Sequence, residues 1–93
     1  MPHFTAAKDA AQETRDKLIH IATQYDIKES NKKYYNRYAL AQYFKAIDGV
    51  VEDVEKGMDT RKAICASFNG RLCAAMLKAL GLPEYTKQDA IGF

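Results

Sequence analysis

Ninety-three residues, 47% hydrophobic and 28% charged, fit one domain over 1–93 and place the chain in the ordinary globular range, away from the disordered class. The formal charge of +2 is too small to argue for nucleic acid by itself, but the charges are sorted along the chain. Residues 28–45 carry Lys28, Lys32, Lys33, Arg37 and Lys45 against Glu29, whereas residues 48–59 carry Asp48, Glu52, Asp53, Glu55 and Asp59 against Lys56.

The first residues contain no basic segment followed by an apolar run, so no signal peptide is expected. No apolar stretch approaches the roughly 20 residues of a membrane span, and the expected location is the cytoplasm, with no membrane partner. Ala7, Ala11, Thr14, Leu18, Ile21 and Tyr25 fall alternately four and three apart, which predicts a helix over about 5–25 with Thr5 as its N-cap. Asp26 to Ser30 breaks that pattern and reads as a short connection.

A second helix is predicted over about 31–57 from Leu40, Phe44, Ile47, Val51, Val54 and Met58, with Tyr43 and Val50 widening the stripe. Ser30 or Asn31 can cap its start, and Gly57 suits the left-handed residue that ends it. Gly49 lies inside the unbroken period and reads as a close helix contact or a mild kink.

The third helix, over about 60–80, starts near Asp59 or Thr60 and carries Ile64, Phe68, Leu72, Ala75, Met76 and Leu80. Gly81, Leu82 and Pro83 stop it: the glycine can take positive φ, Leu82 can fold back on Leu77, and the proline cannot continue the helix. Asn69-Gly70 ordinarily marks a turn, but the apolar phase runs through it and predicts a continuous helix. In such a helix Cys65 and Cys73 stand about 12 Å apart along the axis. That is too far for a disulfide, and they read as reduced core thiols. No stretch alternates with period two. Short links between amphipathic helices favour an all-α, three-helix antiparallel bundle with a short C-terminal tail. The tail can add a turn from Thr86 and lay Ile91 or Phe93 on the bundle. The thin core of so short a chain also leaves room for a homodimer.

Catalytic chemistry is hard to place. His20, with Asp16 one turn back, matches a pair found on many solvated helix faces, and no nucleophile–base–orienter set accompanies it. A single C-x7-C with remote histidines is no zinc site, and there is no phosphate-binding glycine loop, so no catalytic residue, metal or cofactor is expected. A helix-turn-helix around Gly57 would want a small residue four positions earlier, where this chain has Asp53 on an acidic helix that phosphates repel.

Two surfaces invite a partner. Lys32, Lys33, Tyr34, Tyr35, Arg37 and Tyr38 interleave cations with aromatics at the start of the second helix, where the macrodipole favours anions. Tyr34 and Tyr35 diverge by about 100° on a helix, so at least one tyrosine of the group faces outward. Tyr and Arg are enriched at protein interfaces, and the same mixture suits phosphates and stacked bases. The plain alternative is two packed tyrosines beside solvated cations. The second surface is an acidic row, Asp48, Glu52, Glu55 and Asp59, spaced four, three and four. It can imitate a phosphate backbone, or it is an ordinary solvated face with local Glu52–Lys56 and Lys45–Asp48 pairs.

Residues 63–83, AICASFNGRLCAAMLKALGLP, resemble the C-terminal helix of small all-helical proteins of phages and mobile elements, through FNGRL followed by LKALGLP. The resemblance covers about a fifth of the chain. It implies a protein that binds and blocks host machinery, CRISPR-type defence complexes included, sometimes as an acidic mimic of nucleic acid. Arg71, inside the pattern, reads either as a functional cation or as the partner of a carboxylate. Together these readings lead to a non-enzymatic interaction protein with a protein partner, with direct nucleic-acid binding through residues 32–38 as the alternative and a structural oligomer as a third.

Overall fold

A computed structural model describes residues 6–30 and 37–91. Five helices follow in order: α1 (Ala6–Ser30), α2 (Arg37–Glu55), α3 (Thr60–Ser67), α4 (Gly70–Ala79) and α5 (Lys87–Ile91). No strand occurs among the described residues. The fold is therefore all-α, as the periodicity predicts, but the third predicted helix is two.

The first helix runs on through Asp26 to Ser30, where a connection was expected. Leu18, Ala22 and Asp26 stack at four-residue spacing and all are buried, so the core face continues past Tyr25 through a carboxylate only 7% exposed. Lys28 then falls in the last turn, where its charge complements the helix dipole. α1 packs against α2 and α4, and α2 also packs against α3. Leu18, Ile47, Val50, Ile64, Cys73, Met76 and Leu77 form the fully buried centre, each helix from α1 to α4 contributing.

Glycine ends α2 and α4 in the same way. Gly57 takes φ 106°, its N–H bonds to the Val54 carbonyl at 3.0 Å, and the Met58 N–H reaches the Asp53 carbonyl at 3.0 Å. Gly81 takes φ 69°, with Gly81 N–H to Lys78 O at 3.1 Å and Leu82 N–H to Leu77 O at 2.9 Å. In both, the paired bonds satisfy carbonyls that a helix end leaves open. Leu82 then packs on the core, as its position after Gly81 predicts.

The expected continuous helix over 60–80 fails at Phe68 and Asn69. Phe68 (φ −131°, ψ 155°) and Asn69 (φ −140°, ψ 175°) are extended, and Gly70 follows at φ 60°. The extended pair turns the Phe68 side chain into the core, where it is 8% exposed and tilts against Tyr43 at 6.5 Å. The apolar phase survives because α3 and α4 each turn their own apolar face to the same core, not because one helix carries both. Gly49 lies within α2 without a turn, as expected, but it serves no close contact. It is exposed in mid-helix, and a Cβ placed there would meet nothing within 4 Å.

Candidate interaction surface

The outward side of α2 holds the described residues of the first predicted surface, Arg37 and Tyr38, and three of the four acids of the second. Tyr38, Ala41, Lys45, Asp48, Glu52 and Glu55 are exposed and recur at three- and four-residue steps, so they form one stripe along the helix. It runs about 25 Å and changes sign between Lys45 and Asp48. Tyr38, at 77% exposure, answers the expectation that a tyrosine of the cluster faces outward. Arg37, beside it, is exposed as well. Lys32, Lys33, Tyr34 and Tyr35 lie outside the described residues.

The acidic half is less uniform than its spacing suggests. Arg15 of α1 donates from Nε to Asp48 at 3.0 Å, so Asp48 joins two helices where a local Lys45 pair was the plain expectation. Lys56 donates to Glu52 at 2.8 Å, as expected for an i, i+4 pair, and that bond lowers the Glu52 pKa and raises that of Lys56. Asp59 leaves the row altogether, because α2 ends at Glu55 and the chain turns. Asp59 instead caps α3, accepting from the Lys62 N–H at 3.1 Å. A shallow groove between α1 and α2 follows the remaining acids and is lined by Ala11, Gln12, Arg15, Val51, Glu52 and Glu55 among others. Its floor is short of apolar surface, which fits a rim for charged groups better than a pocket for a small molecule.

Beyond the turn that follows α2, Arg61 of α3 gathers the C-terminal segment. Its Nε donates to the Pro83 carbonyl at 2.9 Å and Nη2 to the Glu84 carbonyl at 2.8 Å. A two-pronged bond to Asp89, at 3.1 and 2.6 Å, completes the set. Asp89 also closes a capping box on α5: it accepts from the Thr86 N–H at 2.8 Å, while its own N–H donates to Thr86 Oγ1 at 3.2 Å. The Arg61 hydrogen bond, then the Thr86 backbone N–H, hold the Asp89 carboxyl well below the usual carboxylate range. The short helix expected from Thr86 therefore forms. Ile91, one of the two residues that the sequence offers for packing on the bundle, stays 79% exposed, while Leu82 and Tyr85 pack on the core and Arg61 holds the segment through polar contacts. Phe93 lies outside the described residues.

The same break that divides α3 from α4 undoes the expected separation of the cysteines. Cys65 and Cys73 are free thiols with sulfurs 3.8 Å apart, against the 12 Å expected for a straight helix. Asn69-Gly70 was the available signal: read as a turn, it folds the two segments back toward each other. Arg61 gave no comparable sign, since its partners lie more than twenty residues away.

Among the described residues no cluster of three or more His, Cys, Asp or Glu side chains could hold a metal ion, and no helix is long and apolar enough to cross a membrane. His20 and Arg71 are exposed. No protein-family model, curated protein or solved structure matches the chain.

Proposed function

We propose that this chain is an interaction protein that binds a macromolecular partner, a protein in the first place, through the outward stripe of α2. The observation that carries this reading is Tyr38, a large aromatic at 77% exposure beside Arg37 and heading a stripe that turns from basic to acidic. A tyrosine this exposed offers its ring to a partner, and Tyr and Arg are among the residues enriched at interface hot spots. A stripe with both signs suits a protein surface of opposite pattern, since charge order fixes the register of docking. The likeness of residues 63–83 to small phage proteins puts host machinery, defence complexes included, among the candidate partners, and it rests on those residues alone. The reading assigns no catalytic step.

Direct nucleic-acid binding is the second reading, favoured by the cations at Lys32, Lys33 and Arg37 beside aromatic side chains. One experiment separates the two. Fluorescence anisotropy with short single- and double-stranded DNA and RNA is run over a salt series, beside a Lys32, Lys33 and Arg37 to Ala triple variant. The protein-partner reading expects no binding at physiological salt. Tight binding that weakens with salt by nearly one power per phosphate contacted, and is lost in the variant, would replace it with the second reading.

A further inference from the structure

We propose that Cys65 and Cys73 form a reversible intramolecular disulfide, acquired by exchange with a low-molecular-weight disulfide, that ties α3 to α4 across the break at Phe68–Asn69. This is a modification site independent of the α2 stripe.

The geometry comes from the break. Eight residues apart on an unbroken helix, two cysteines are held well beyond bonding reach. Here the extended Phe68 and Asn69 reverse the chain enough to bring the sulfurs to 3.8 Å, leaving under about 2 Å to close to a disulfide bond. Each cysteine sits on a helix held by other contacts, Asp59 capping α3 and the Gly81 turn ending α4, so approach does not rely on a wandering loop.

The two thiols differ in access. Cys65 is partly exposed and Cys73 is fully buried, so a co-reactant reaches Cys65 first. Cys73 donates its S–H toward the Cys65 sulfur, and its thiol is pushed up to about 12 by burial first, then by that hydrogen bond and the charge of Cys65. The charged groups facing the pair are Arg61, which opposes this rise, and Asp89, which adds to it. Access orders the steps: the partly exposed Cys65 reacts first, and the buried Cys73 follows from 3.8 Å away.

In the first step the Cys65 thiolate attacks one sulfur of the external disulfide, forming a mixed disulfide and expelling one thiolate. In the second, Cys73 gives its proton to solvent and attacks the Cys65 sulfur, expelling the other thiolate. The protein dithiol loses two electrons and two protons, and the external disulfide takes both as two thiols. Reduction by an excess of small thiol runs the same path backwards.

The test uses the full chain equilibrated in glutathione buffers from reducing to oxidising, quenched in acid, alkylated and weighed. Both alkylation sites should disappear together in a monomer lighter by two hydrogens, and digestion should give one cross-linked peptide pair joining Cys65 to Cys73. Cys73→Ala should stop at a mixed disulfide on Cys65, and Cys65→Ala should take up no glutathione at Cys73. Under reducing conditions Cys65 should alkylate roughly tenfold or more faster than Cys73. Two alkylated thiols at the oxidising end, two bound glutathiones, or a disulfide between two chains would each overturn the proposal. The wild-type measurement decides even where a variant folds poorly.

Discussion

Gly49 and Gly70 stand in the same sequence setting and meet opposite fates. Each lies inside an apolar period that passes through it unbroken, yet α2 continues through Gly49 while the chain breaks before Gly70. The apolar period records which residues face the core. It does not record whether one helix or two present them. What separates the sites is local: Gly49 follows Asp48 with an ordinary helical backbone, whereas Gly70 follows Asn69, completes a turn dipeptide, and takes φ 60°. A core position for Phe68 then rewards the break.

The largest effect should come from removing that reward. Phe68→Ala is expected to cost about 3–5 kcal/mol, a large share of the roughly 5–15 kcal/mol that holds a domain together. Urea unfolding reads it, and a loss under about 1 kcal/mol would show that Phe68 does not hold the corner.

Alanine at the two glycines should then give opposite signs. Gly70→Ala forces a side chain into the left-handed region and should destabilise by about 1–2 kcal/mol, even though a Cβ there has open space around it. Gly49→Ala should stabilise by about 0.5–1 kcal/mol, since the site is exposed, helical and uncrowded. Equal signs in denaturant unfolding would dissolve the contrast between the two sites.

The smallest global effect should be at Arg61–Asp89, which joins α3 to the segment that leaves α4. Because the folded pKa of Asp89 is depressed, its contribution is fully present above the unfolded value near 3.8 and is lost as pH falls below it toward the folded value. Hydrogen exchange should show α5 losing protection below about pH 4 while α1 and α2 amides hold. In Asp89→Asn that acid dependence should be gone, with α5 already less protected at neutral pH.

The fold class and the glycine-marked ends of α2 and α4 were legible for physical reasons that are local. Leu40 to Val54 carry a clean 3.6-residue stripe, and Gly57, Gly81 and Pro83 punctuate the chain by conformational preference alone. The errors came where tertiary packing decided. Nothing near Asp26 announces that a carboxylate will be buried, so α1 was read one turn short. At Asn69-Gly70 the turn signal was present and was outweighed by the period, and the cysteine separation was misjudged with it. Of the candidate surface, the charge reversal along α2 was readable, and so was the exposure of at least one tyrosine, but not that Tyr38 is exposed. The loss of Asp59 to an N-cap was readable too, since a helix ended by Gly57 and another starting near Asp59 or Thr60 already leave Asp59 off the α2 row.

Arg61 carries one further consequence. Its three nitrogens serve two carbonyls and both oxygens of one carboxylate, a pattern set by the planar fork of a guanidinium. A lysine at 61 would leave every sum of charges unchanged and could not span those acceptors from a single nitrogen. The C-terminal seam is thus written in shape, and tallies of positive and negative residues are blind to it.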